Sequence, residues 1–169
     1  MGRFNGAFES QTAQLSGVPV TTTFNGYFGA VVAGAAANFK LRRLRFGIRA
    51  AGVPTSQQVT IGIYPQTVRV VGSGFSTRVG RNMDPRGAAS AITGIDFTTA
   101  ATAGTTGPTI AANPFDEVTF NTQSGYDIPF EMLEELICDQ GTANGFAFVN
   151  LGNTLPTGHL ITAAFEWEE

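Results

Sequence analysis

A strict two-residue alternation near the C-terminal end constrains this chain more than any other feature: Ile161, Ala163, Phe165 and Trp167 interleave with Thr162, Ala164, Glu166 and Glu168. A period of two puts one set on each face of an extended strand, whereas a helix would scatter the same residues around its circumference. The pattern recurs upstream. Leu44, Phe46 and Ile48 share one face of a strand and Arg43, Arg45 and Arg49 share the other, and Val59, Ile61 and Ile63 alternate again. Phe39 and Leu41 fall on the opposite parity, so the phase slips near Arg42–Arg43, and a β-bulge there repairs it. Residues Phe146 to Leu151 are apolar on both parities, as in a central strand covered on both faces.

Turn residues punctuate these runs. Asn25-Gly26 is a hairpin signal between Val18–Thr23 and Tyr27–Val32. The loop Gly52-Val-Pro-Thr55 precedes the Val59 strand, which Tyr64-Pro65 is expected to end, and Val68 to Val71 reads as a further short strand. Residues 72–96 hold turn signals and one strand from Ile92 to Phe97, and 98–114 form a long Thr/Ala/Gly loop. Glu117 to Asn121 restores alternation. Pro129 to Asp139 fits either a short helix or a strand entered at Leu136, and so short a run does not decide between them. The expected fold is therefore all-β: an antiparallel, jelly-roll-like β-sandwich of about eight strands with at most one short helix. A length of 169 residues suits a single domain. The polar, Gly-containing residues 1–16 read as a flexible N-terminal arm and 17–169 as the sandwich.

Charge is sparse and segregated. Charged residues make up 14% of the chain, well below the usual quarter or so, so much of the surface must be neutral. All ten basic residues precede residue 87, and with three acids they give residues 1–115 a net +7; residues 116–169 hold ten acids and no Lys or Arg. Both segments carry core-type alternation, which points to strands of opposite charge pairing within one sandwich or between subunits. The row Arg43, Arg45, Arg49 is expected to meet an acidic row, either Glu166 and Glu168 of the same molecule or acids of a neighbour, the rival being an acidic patch on a larger partner. A sequence pI near 5.1 argues against general nucleic-acid binding.

Chemistry-bearing motifs are few. His159 is the one histidine and Cys138 the one cysteine, so neither an internal disulfide nor a His/Cys zinc site is expected. Acids surround Cys138 in sequence, which disfavours a thiolate nucleophile, and a Cys138–His159 pair is a remote option. Glu131, Glu134 and Glu135 read as a solvated face before they read as acid–base machinery. Gly72-Ser-Gly74 lacks the third glycine of a dinucleotide loop. No enzymatic activity, cofactor or metal is expected. The first residues lack an apolar signal-peptide core, and the run Gly29 to Ala37 is about half a membrane span, so the expected setting is a reducing cytoplasm without membrane contact.

The segments Met83-Asp84-Pro85, Ser90-Ala-Ile-Thr-Gly94-Ile95-Asp96, Phe120-Asn-Thr-Gln-Ser-Gly125, Leu133-Glu-Glu-Leu-Ile137, Gly141-Thr-Ala-Asn-Gly145 and Phe165-Glu-Trp-Glu-Glu169 resemble small virion proteins of tailed bacteriophages, the head decoration or minor capsid proteins. The resemblance covers about residues 80–169 and none of its motifs is catalytic. It implies a β-sandwich, made in the host bacterial cytoplasm, that coats the capsid exterior by binding the major capsid protein, often as a homo-oligomer, with a trimer favoured. The interface candidates are Phe4 and Phe8 as anchors of the arm, Arg43, Arg45 and Arg49, and Glu166, Trp167 and Glu168. A second reading is a tail-tip or fibre module that binds host carbohydrate, with Trp167, Tyr27, Tyr64 and Tyr126 as stacking candidates. A third is a trimeric jelly-roll ligand of the C1q or TNF type.

Overall fold

The computed structural model describes residues 2–10, 26–69, 74–99 and 108–169. Among them are thirteen strands and no helix: β1 (Arg3–Glu9), β2 (Tyr27–Val32), β3 (Phe39–Ala50), β4 (Gln58–Val68), β5 (Phe75–Arg78), β6 (Arg81–Asn82), β7 (Gly94–Thr98), β8 (Thr109–Ile110), β9 (Asp116–Asn121), β10 (Tyr126–Pro129), β11 (Leu136–Cys138), β12 (Gly145–Asn150) and β13 (His159–Glu168). They form two antiparallel sheets. The first runs β10-β3-β13-β1-β6, with β11 also on β3; the second runs β5-β7-β2-β12-β4-β8, with β9 also on β4.

Eight of these strands make a jelly roll. Taken alone, β1, β2, β3, β4, β9, β10, β12 and β13 pair first with last, second with seventh, third with sixth and fourth with fifth. This nesting is that of one long hairpin rolled into two facing sheets. The strand count exceeds eight because β5 to β8 are inserted between β4 and β9, and because β10 and β11 share one edge of β3.

The core lies between the sheets. On β13 the alternation holds without exception, His159, Ile161, Ala163, Phe165 and Trp167 being buried and the intervening residues half-buried. Facing them from the second sheet are Phe146 and Phe148 of β12 and Val59, Ile61 and Ile63 of β4. The double-sided strand of the sequence, β12, sits in the middle of its sheet. Its other parity, Ala147 and Val149, packs with Tyr27, Ala30, Val32 and Tyr64 in a smaller cluster on the opposite face.

The phase slip in β3 is a bulge. Trp167 of β13 pairs with Leu41 and Glu166 with Arg43, so Arg42 is the extra residue. The bulge returns Phe39 and Leu41 to the same buried face as Leu44 and Phe46. It also divides the other edge of β3: Tyr126–Pro129 pairs with residues 43–46 and Leu136–Cys138 with residues 39–41. The segment Pro129 to Asp139 is thus two strand ends joined by a turn, not a helix. Pro65, expected to end its strand, lies inside β4. Its carbonyl accepts from Ala111 N–H at 2.9 Å, so its nitrogen faces the gap between β9 and β8, where no donor is needed.

The reading of residues 1–16 as a flexible arm is corrected over residues 2–10. Arg3 to Glu9 pairs residue for residue with Glu168 to Thr162. Phe4 and Phe8 are not free anchors: they are 4% and 1% exposed inside this molecule's own core. Phe4 stacks on Trp167 at 5.9 Å, and Phe8 lies against Phe28, Phe97 and Phe165 at 5.6–6.0 Å. A glycine makes room for Phe8, since a Cβ on Gly29 would stand 2.3 Å from the Phe8 ring. The short sequence period of β1 was masked by its small residues, Gly6 and Ala7. Residues 11–16, the proposed strand Val18–Thr23 and the Asn25 half of the hairpin signal lie outside the described residues, as do 70–73 and 100–107.

Because Phe8 bridges the two sheets, Phe8→Ala is expected to lose about 3–5 kcal/mol of folding stability. Urea denaturation checks this: a loss below about 1 kcal/mol would return β1 to the status of a dispensable arm.

Candidate functional site

The outer face of the first sheet gathers the segregated charges. Strand β3 carries most of the cations, and β13, β10 and β1 carry acids. Arg45 Nη2 lies 2.8 Å from Glu166 Oε1, and Arg43 Nε donates to Asp127 Oδ1 at 2.8 Å. Arg49 reaches Glu9 at 3.1 Å. Glu168 is shared by Arg42, at 2.5 Å, and Arg3, at 3.4 Å, while the other side of the Arg42 guanidinium pairs with Glu135. The row of arginines and the row of acids therefore meet within one molecule. The contacts skip from the directly opposed residue to the diagonal one: Glu166 stands across from Arg43 but bonds Arg45.

These partners shift the titration of the face. Asp127 is held below the usual carboxylate range by its hydrogen bond from Arg43, against a smaller opposing effect of burial. For Glu135 burial acts upward, but the backbone N–H groups of Glu135 and Leu133, with Arg42 and Lys40, outweigh it and hold the carboxyl low. Arg42 and Arg43 are correspondingly raised, chiefly by hydrogen bonds to Glu168 and Asp127.

Next to this network two shallow depressions of about 780 and 550 Å³ run together along β1 and β13. Gly6, Ala7, Gly47 and Ala164 supply small residues to their walls, and Arg45, Arg78 and Arg81 supply cations. Arg78 donates to the Ala7 carbonyl at 3.1 Å and lies 4.9 Å over the Phe97 ring. At the opposite edge of the sheet the turn between β10 and β11 projects Met132 and Leu133, 79% and 92% exposed.

The remaining candidates are structural. Trp167 is 1% exposed, packed against Gly80, where a Cβ would stand 2.2 Å from the indole, and stacked with Phe4; its Nε1 donates to Glu169 Oε1 at 2.8 Å. Glu169 also accepts from the Ser90 hydroxyl and, at 2.6 Å, from Ala91 N–H, so the last side chain clamps the approach to β7 onto the sheet. Trp167 is thus a core residue of this molecule. Tyr27 and Tyr64 are also buried, which leaves Tyr126, 40% exposed, as the one accessible member of the proposed carbohydrate-stacking set. Burial, then the neighbouring Asp96, raise the Tyr27 phenol well above its ordinary range.

Cys138 and His159 do not form a pair. Cys138 is opposite Phe39 and His159 opposite Ala50, the two ends of β3, which at about 3.3 Å per residue places them roughly 35 Å apart. Burial, with a smaller contribution from Asp139, pushes the Cys138 thiol up to about 12. His159 Nε2 accepts from Thr55 N–H at 3.2 Å and caps a loop. Among the described residues no group of three or more His, Cys, Asp or Glu converges as a metal site. Sequence reasoning missed Arg42 and Asp127 as partners; the phase slip marked the first, and nothing local marked the second. Comparison with protein-family models, curated proteins and solved structures gives no match.

Two outcomes follow from the titration. Asp127 and Glu135 have folded-state values below their unfolded ones, so their contribution is present above the unfolded range near about pH 4 and is lost as pH falls through the lower folded values. Thermal melts should hold steady from neutral pH to about pH 5 and fall below about pH 4, with Asp127→Asn flattening part of that fall. The Cys138 thiol should resist alkylation at pH 8 in the folded protein and react once urea unfolds it.

Proposed function

We propose that this protein is a non-enzymatic bacteriophage virion component that decorates or stabilises the head by binding the major capsid protein. The observation that supports this best is the placement of the phage-like segments. They build framework and edges: the Glu169 clamp and β13 from Phe165–Glu169, the strap into β7 from Ser90–Asp96, and the turns at Phe120–Gly125, Leu133–Ile137 and Gly141–Gly145. Cys138 is a buried thiol, and Glu135, Glu166, Glu168 and Asp127 are held in ion pairs.

A rigid jelly roll with an internally neutralised face suits a part that must add to a large shell without binding itself nonspecifically. The turns at the sheet edges are left to make contacts. The fibre reading is less favoured, because three of its four aromatic side chains are in the core.

The test is co-sedimentation with heads assembled from the major capsid protein of the same phage. The purified protein should sediment with the heads at a fixed ratio and raise the temperature at which they come apart. Protein that stays in the supernatant while binding a glycan array would overturn this reading in favour of the fibre module.

A further inference from the structure

The two edges of the first sheet are complementary to each other. At one edge Glu131 to Glu134 form a tight turn, closed by Glu134 N–H donating to the Glu131 carbonyl at 3.0 Å. Leu133 occupies its third position with φ +77°, a left-handed conformation in which such turns normally carry glycine. The turn is nevertheless held fast. Phe130 N–H donates to the Arg42 carbonyl at 2.9 Å, Leu133 N–H to Glu135 Oε2 at 3.0 Å, and Glu135 is ion-paired to Arg42. A braced turn that keeps a large apolar residue both strained and 92% exposed is built to present it. Flanking it, Glu131 and Glu134 pair with no cation among the described residues.

Toward the other edge, bounded by β6, lies the groove along β1 and β13. Its small residues leave space for a side chain, and its cations Arg78 and Arg81 pair with no carboxylate among the described residues. Acids without a cation thus flank an apolar knob on one side, and arginines without a carboxylate flank a groove of small residues on the other. The turn and the Arg78/Arg81 end of the groove cannot meet within a molecule, because the turn leaves the β10/β11 side of β3 and Arg81 lies on β6, beyond β13 and β1.

We propose that the Met132–Leu133 turn of one molecule docks in the Arg78/Arg81 groove of a second copy of this chain, joining copies head to tail. Leu133 fills the groove and Glu131 and Glu134 face the two arginines. The contact is heterologous: each copy offers a turn on one side and a groove on the other. It goes beyond the capsid reading and does not rest on it, since it forms in the free protein.

Sedimentation velocity and light scattering at about 0.1 mM, a concentration at which a contact of micromolar strength is saturated, read the mass. The wild type should be an oligomer. Leu133→Gly should be a monomer that melts no lower than the wild type, because glycine suits φ +77° and relieves the backbone. Arg81→Glu, at an exposed position, should also be monomeric. The first variant keeps its groove and the second its turn, so an equimolar mixture should form a one-to-one dimer and nothing larger. A monomeric wild type, or Leu133→Gly that associates as the wild type does, overturns the proposal. So does a mixture that stays monomeric. If Leu133→Gly self-associates normally but no longer sediments with heads, the turn serves the capsid protein instead. Failure of head binding with the mixing result intact leaves this contact standing and removes only the capsid reading.

Discussion

Seven residues of β1 lie antiparallel to seven of β13, joining the two ends of the described chain, and the rest of the sandwich is arranged around that ladder. It brings Phe8 to a point where rings from β2, β7 and β13 converge, so one side chain ties the first sheet to the second. It also sets Phe4 on Trp167, whose indole N–H is satisfied by the terminal Glu169, and that carboxylate in turn holds the strap leading to β7. Nearly every pairing in the fold joins distant residues. Loop closure must therefore precede most of the stabilising contacts, and a topology of this kind folds slowly.

The charge segregation of the sequence becomes intelligible in this topology. A jelly roll pairs its third strand with its last and with its sixth, so a basic β3 necessarily meets whatever β13 and β10 carry. Placing the acids late in the chain makes each pair a long-range contact, as in Arg45–Glu166 and Arg43–Asp127. Exposed pairs of this kind are worth about 0–1 kcal/mol each, too little to hold the fold. Their effect is on register: sliding β13 by one residue along β3 would oppose apolar residues to arginines and turn the Phe165 row outward.

Much of this was legible in the sequence, because period-two patterning survives wherever a strand has one wet face. The β13 alternation, the slip that marked the Arg42 bulge and the two-sided β12 all carry their burial in their spelling. The failures have physical causes. In β1 only Phe4 and Phe8 of the buried parity are large, and Gly6 between them erases the period, so a core strand resembled a loose leader. Pro65 ends a strand only where its nitrogen faces a partner, and here it faces a gap between β9 and β8. The partners of Arg42, Arg43 and Arg49 depended on which strands became neighbours, which the alternation of each strand alone does not encode. Trp167 was legible as an inward residue but was also taken as an interface candidate; the ladder with β1 buries it.

The edges of the two sheets are mostly too short for another strand to pair with. A free strand edge offers unpaired backbone groups to any passing strand, and soluble sandwiches blunt such edges. Here β6 and β8 have two residues each, β11 has three, and β5 and β10 four, with Pro129 ending the last. The longer edge is β9, six residues paired with β4 alone. The bulge at Arg42 sharpens the effect, since it splits the β3 edge between β10 and β11 and forces the chain out into the turn that carries Met132 and Leu133. The irregularity that restores the core parity of β3 is thus also what creates the projection at its edge: the extra residue supplies Arg42, Arg42 braces Glu135, and Glu135 holds the Leu133 backbone in place.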